Sequence, residues 1–430
     1  MFIALPCGLR APQKKVTGIK IYDLIGSPQQ NETKISMPVS TICHKYVQQS
    51  LSSFNKARMK SLLSCSDALA QGRRLTLTAI GRNLAGNAKV KHKIKRVDRL
   101  LGNSKIHAEL THIYQAIAKN LYSSLPYLII AVDWSGCCRS DYHLLRASLV
   151  VDGRSISIYN MIVETKDLET QHSHALFLKR LAKIIDTNKK VYIISDGGYI
   201  TPWFSEVSKY GCHFVGRLRG TIQCQVNDGD WQPLKNLHQG ATGTPSYLGE
   251  ATLGKQTPTS CKAYLHLYKG KNKGRTGKSK FTKDTKMYQN LAKEPWLIAS
   301  SDSEITSAQA ITIYEKRMQI EQNFRDDKSP RYGFSWRFSK SLGVERMSVL
   351  CLIACIATIS LWFVGFEGEQ RKLHYQFQAN TTKDRRVLSF LSLATNIIRH
   401  LSRKITAIYI RKSKEKLIHD YDSLMLQLYS

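Results

Sequence analysis

Three acidic residues stand where chemistry is possible. Asp133 and Asp196 close the short apolar runs YLIIAVD (127–133) and KVYIISD (190–196), and Glu321 lies within ITSAQAITIYEKRMQIEQNFRDDK (305–328). Runs of that length and composition read as buried strands. In α/β proteins catalytic groups collect beyond the C-terminal ends of such strands. Segment 305–328 reads as one helix. At about 100° per residue, with Tyr314 at zero, Arg317 falls at about 300°, Glu321 at about 340°, Arg325 at about 20° and Lys328 at about 320°. Ile313, Ile320 and Phe324 cluster at about 240–280°, so an apolar stripe runs alongside and can pack on a sheet. One acid, three cations and a phenol on one narrow rim suit work on an anionic substrate.

The whole chain points to the same class of partner. Its 430 residues carry 64 Lys+Arg against 32 Asp+Glu, a formal net charge of +32. Such an excess repels itself unless a polyanion is near, and the usual polyanion is nucleic acid. A basic ribosomal or membrane-surface protein shares this property, so charge sets the partner class and leaves the reaction open. The ten cysteines include no CxxC pair and Cys137 and Cys138 are adjacent, which argues against a zinc finger. Scattered thiols in a basic chain fit a reducing cytoplasm better than a secreted protein. The opening MFIALPCGLR lacks the order of a signal peptide. Met347–Phe366 approaches the length of a membrane span but reads as a buried core helix, in which Ser348, Thr358 and Ser360 bond back to their own helix. No GxxxxGK[ST] loop for ATP is present.

The elements that must position these groups follow from periodicity. Residues 1–36 read as a disordered or mis-annotated extension before Met37. Residues 37–112 read as a helical DNA-binding domain: KARMKSLLSCSDALA is amphipathic, and LTLTAIGRNL follows with Thr78 as a candidate N-cap. After a turn at Ala85-Gly86-Asn87, KVKHKIKRVDRLLG forms a basic helix carrying Lys91, Lys95 and Arg96. A short helix, a turn and a basic helix fit a helix-turn-helix with its second helix on DNA. A solvated basic helix fits the same pattern. Residues 113–200 then read as strand, hairpin across Asp152-Gly153, helix (174–186) and strand, the opening of a ribonuclease-H-like α/β fold with a mixed sheet. Residues 201–295 read as a β-rich insertion whose stretch 268–286 carries eight Lys/Arg and three Gly, a basic loop able to clamp phosphate. The catalytic domain resumes over 296–370, and 371–430 reads as a helical C-terminal region with possible dimer contacts.

The spacing Tyr-x2-Arg-x3-Glu-x6-Lys at Tyr314, Arg317, Glu321 and Lys328 resembles the YREK signature of the insertion sequence four family of DDE transposases. GRNL (81–84) with KHKIKRVDRLLGN (91–103), VDWS (132–135), SDGGY (195–199), KEPWLIAS (293–300) and KRMQIEQNFRDDKSPRYG (316–333) are similar to blocks of its transposon ten branch, in the same order. Gln322 and Asp327 stand where relatives often have other residues. The resemblance implies that Asp133, Asp196 and Glu321 are the catalytic triad and the ligands of two Mg²⁺ ions, for which Mn²⁺ can substitute. Hard divalent ions prefer oxygen ligands, and two of them about 3.5–4 Å apart can activate the attacking oxygen and stabilise the leaving one. It further implies that Arg317 and Lys328 bind phosphates near the cleaved end, with Arg325 on the same DNA-facing rim, and that Tyr314 positions the strand. Trp296 would stack on a flipped base, although EPWLIAS also reads as a buried strand with a core Trp. A structural ion pair to Glu321 is the other reading of Arg317. The implied reaction is cut-and-paste transposition through a DNA hairpin, by a homodimer on double-stranded DNA ends. A related nuclease, or an inactive DNA-binding relative acting as a repressor, is the alternative.

Overall fold

The computed structural model describes residues 47–401, apart from 152–153, 221, 256–259, 271–293 and 332, together with Glu415. The expectations for residues 1–36, for the basic loop from 271 onward and for the chain after 401, Glu415 apart, lie outside the described residues.

The helical segment opens with α1 (Lys56–Gly72), α2 (Leu77–Asn83), α3 (Val90–Leu101) and α4 (Ser104–Tyr122). Each start is set by a side chain or a turn. Asn55 accepts the Arg58 N–H at 3.1 Å and caps α1, and Asn103 accepts the Ile106 N–H at 3.1 Å and caps α4. The cap of α2 is Thr76, whose extended backbone lets its hydroxyl accept the Ala79 N–H at 3.2 Å. Thr78, the expected cap, already lies inside the first turn, where a helical backbone denies it that role. Helix α3 buries Val97, Leu100 and Leu101 and turns Lys91, Lys95 and Arg96 outward. It packs closely on α2 because Gly81 has no side chain: a Cβ there would sit 2.6 Å from the Ile94 Cα.

The ten strands among the described residues form one mixed sheet in the order β3-β2-β1-β4-β5-β10-β9-β8-β6-β7. Strands β1 (Tyr127–Gly136), β2 (Tyr142–Leu149) and β3 (Ile156–Glu164) are antiparallel neighbours. Helix α5 (Gln171–Ile184) then leads to β4 (Lys190–Ser195), parallel to β1, and α6 (Thr201–Lys209) to β5 (His213–Leu218), parallel to β4. A connection between parallel strands must cross back over the sheet, and a helix does so compactly. The sheet continues through β6 (Gln223–Val226), β7 (Trp231–Pro233), β8 (Ser246–Leu253), β9 (Cys261–Tyr268) and β10 (Trp296–Ser300). Because β10 pairs with both β5 and β9, the strands of the 201–295 region extend the central sheet. This mixed α/β arrangement is consistent with the ribonuclease-H-like fold expected from sequence.

Behind β10 come α7 (Ser307–Glu315) and α8 (Met318–Lys328), then α9 (Val344–Gln370) and α10 (Phe390–His400). Helix α9 is long and apolar enough to cross a membrane, yet 94% of its most apolar window is buried inside the protein. It packs on β3 and against α1, α4 and α10, which explains an apolar surface on every side.

The expected single helix over 305–328 is broken. Lys316, Arg317, Gln319 and Ile320 each donate their backbone N–H to the carbonyl three residues back, at 3.0–3.1 Å. That is the 3-10 pattern, which turns roughly 120° per residue in place of 100°. The segment is therefore two helices, with Tyr314 on α7 and Glu321 and Lys328 on α8.

Candidate active site

The register of β1 on β4 brings the first two acids together. Ala131 faces Ile194, so two residues further along each strand stand Asp133 and Asp196. Equal steps bring both to the same end of neighbouring strands, close enough for the Asp196 charge to act on Asp133. Each carboxylate is held by a local backbone donor. Asp133 Oδ1 accepts the Trp134 N–H at 2.8 Å, and Asp196 Oδ1 accepts the Gly198 N–H at 2.9 Å.

Glu321 arrives from the first turn of α8, and Arg317 joins it to the sheet. The Arg317 guanidinium Nη1 lies 3.2 Å from Glu321 Oε1 and 3.5 Å from Asp133 Oδ2. Arg317 and Asp133 are largely covered, while the Glu321 side chain is 48% exposed and faces the open side. Burial first, then the negative charges of Asp196 and Glu321 against the opposing pull of Arg317, leave the Asp133 carboxyl pushed up to about 7. For Arg317, burial works against the cation, but Tyr314 and the carboxylates of Asp133, Asp196 and Glu321 outweigh it and hold the group above its ordinary value. The ion pair of Arg317 with Glu321, one of two readings from sequence, is present, and the same guanidinium also serves Asp133.

The donor chemistry suits a hard cation. Three carboxylates offer oxygen alone, Asp133 is destabilised as a buried anion, and a guanidinium already bridges two of the three acids. Divalent magnesium or manganese prefers such ligands. Among the described residues no three His, Cys, Asp or Glu side chains are gathered closely enough to hold a metal ion outright. Arg317 is what links Asp133 with Glu321 here.

The remaining expected residues divide. Lys328 Nζ donates to Ser135 Oγ at 2.6 Å, which places it beside the end of β1, and burial lowers its ordinary value. Tyr314 is buried close to Arg317, and its ring meets Trp296 edge-on at 5.2 Å. Trp296 is half-buried at the start of β10, with Tyr268 6.0 Å beyond it. Arg325 is exposed on α8. Lys91, Lys95 and Arg96 lie on α3, outside this cluster, and Arg96 Nη2 reaches Ser61 Oγ of α1 at 3.3 Å. Arg317 and Glu321 thus stand at the carboxylates with Tyr314 near Arg317, Lys328 lies at the end of β1, and Arg325 is at the surface.

A model of the transposase DDE domain matches residues 126–357, more than half of the chain and the whole of this cluster. The chain belongs to the DDE transposase family. It is therefore read as an enzyme acting on DNA, and this family generally uses divalent metal ions. A search of curated proteins found no match to the chain.

Sequence reasoning missed what holds α8 in place. Arg146, from the apolar run of β2, reaches the Asn160 Oδ1 through Nε at 2.6 Å, Asn323 Oδ1 through Nη1, and Asp327 Oδ2 through Nη2 at 2.5 Å. Both side chains of the ion pair are buried, 3% and 6% exposed. A second pair, Arg154 to Asp326, joins the next residue of α8 to the segment before β3. The available signal was a lone arginine within LLRASLVV, because a buried charge requires a partner. A second omission is the ring cluster behind Asp133. Trp134 Nε1 donates to His174 Nε2 at 3.1 Å, and His174 packs on Tyr199 and Trp203.

Proposed function

We propose that the protein is a cut-and-paste DNA transposase of the insertion sequence four family, near its transposon ten branch. The observation that carries this reading is the convergence of Asp133 and Asp196, from adjacent parallel strands, with Glu321, linked through Arg317. The YREK spacing supports the finer family assignment.

Asp133, Asp196 and Glu321 would hold two Mg²⁺ ions. When bound, such ions make an oxygen nucleophile available at neutral pH and stabilise the leaving oxygen in an in-line displacement. The protein's own residues orient the DNA. Arg317 presents a fork suited to two phosphate oxygens, and Lys328 a point charge at the end of β1. Arg325 would add a phosphate contact from the exposed face of α8, and Lys91, Lys95 and Arg96 would bind the element end through α3. Tyr314 acts through Trp296, fixing its ring, so that the indole can stack on a base displaced from the helix.

The reaction sequence we infer is nicking of one strand, attack of the freed 3′ hydroxyl on the opposite strand to form a hairpin, reopening by water, and joining to target DNA. In each step an oxygen nucleophile, water or a 3′ hydroxyl, forms one P–O bond as another breaks and a 3′ hydroxyl leaves, so one carboxylate site serves them all. The inferred assembly is a homodimer on the two inverted-repeat ends, in the bacterial cytoplasm. The test is Glu321→Gln, assayed on a plasmid carrying the DNA that flanks the gene on either side. Nicking should be lost while affinity for the ends stays within a few-fold. A variant that still cuts would remove Glu321 from the triad.

A further inference from the structure

An open cavity of about 650 Å³ lies away from the carboxylates, where the helical segment meets the catalytic domain. One wall is the chain entering α2 together with α2 itself, and the other runs from Phe338 to Arg346 ahead of and into α9. The walls are tied together. The Leu75 N–H donates to the Phe334 carbonyl at 2.8 Å, and Arg346 Nη2 meets Asp98 of α3 at 2.5 Å.

Four cations line the cavity, Arg74, Arg82, Lys340 and Arg346, and no acidic side chain does. Arg74, Arg82 and Lys340 are exposed. No ion pair to any of these three is found among the described residues. Two large apolar side chains stand open in the same groove, Phe338 at 54% and Leu342 at 55% exposure. The Arg74 guanidinium lies 5.9 Å from the centre of the Phe338 ring.

Like charges gathered in one groove are self-repelling and are favoured by an anion between them. A free phosphate would satisfy the cations and leave the ring and the leucine in water. A DNA strand offers repeated phosphates together with sugar and base faces, and so matches both halves of the lining. We propose that this groove is a separate DNA-binding site, distinct from the carboxylate cluster and from the α3 lysines. Arg74, Arg82 and Lys340 hold phosphates of duplex DNA, and Phe338 and Leu342 rest against its sugars or bases. Since its walls belong to the helical segment and the catalytic domain, DNA bound there spans both. The proposal rests on the DNA reading above and extends it to a site the triad does not touch.

The test measures binding without catalysis. A fluorescent duplex of random sequence, about three helical turns long, is titrated by anisotropy in EDTA across about 50–200 mM salt. Each phosphate contact contributes about 0.9 to the slope of log affinity against log salt. The triple variant Arg74→Gln, Arg82→Gln, Lys340→Gln should therefore lower the slope by about 2.7. Phe338→Ala removes an uncharged contact and should weaken binding with the slope kept. Replacing the exposed Lys179 and Lys183 of α5 by Gln controls for net charge, and the slope should hold. An unchanged slope in the triple variant, with wild-type binding intact, overturns the groove and leaves the active-site reading standing. An equal fall per charge in the control overturns it too. Wild-type protein that binds no duplex sinks both readings.

Discussion

Replacing Asp327 by Asn tests whether the buried pair with Arg146 holds α8, and with it Glu321, on the sheet. The guanidinium is 3% exposed and its Asp327 partner 6%, with 2.5 Å between Nη2 and Oδ2. Asn keeps the size but removes the charge, so Arg146 stays buried with two neutral amide acceptors, Asn160 and Asn323. Breaking one side of such a pair costs about 3–5 kcal/mol, because the remaining charge has lost its counter-ion in a place water cannot reach. Natural domains hold only about 5–15 kcal/mol in total, so the loss should be large. At about 2 °C per kcal/mol for a chain of this size, the apparent Tm should fall by roughly 6–10 °C. Urea denaturation followed by circular dichroism measures the loss, and plasmid nicking below the new Tm measures the effect on the site. The double variant Arg146→Met with Asp327→Leu removes both charges and should recover most of the stability. A single variant within about 0.5 kcal/mol of wild type, the size of an ordinary surface change, would refute the reasoning.

The Asp67 carboxyl is pushed up to about 7 by burial on α1. A folded value above the unfolded one, about 3.9, favours the neutral acid in the fold. Its stabilising share is complete below about pH 4 and is lost as pH rises through about 7. Asp67→Asn stays neutral throughout, so it should be more stable than wild type at about pH 8, with the gap closing toward about pH 4. Urea midpoints at several pH values check this, and a pH-independent gap would contradict it. Gly81→Ala meets Ile94 backbone at 2.6 Å and must push α2 and α3 apart. A loss of about 1–3 kcal/mol should follow, whereas helix propensity alone would give a gain of about 1 kcal/mol. The sign of the change in thermal stability decides.

The sequence determined the local parts. Asp133 and Asp196 stand at the ends of continuous apolar runs, and such runs become central strands because both their faces must be covered. Ile313, Ile320 and Phe324 are buried as apolar side chains beside the site, though on two helices and not on one continuous stripe. The buried fate of α9 was legible for the same reason, since its composition leaves no face suited to water. Tertiary structure decided the rest. Nothing in EKRMQ, which lacks Gly and Pro, marks the tightened turn that sends Tyr314 to Trp296 and Arg317 to Asp133. The partner of Arg146 lies 181 residues further along the chain, and local patterning does not encode such pairing. Burial of a charge creates a demand that only another element can meet, and which element meets it is settled when the sheet and helices close on one another. The three acids were therefore visible as candidates in the sequence, while the guanidinium that joins Asp133 with Glu321, and the ion pair that holds the Glu321 helix in place, emerged only from the fold.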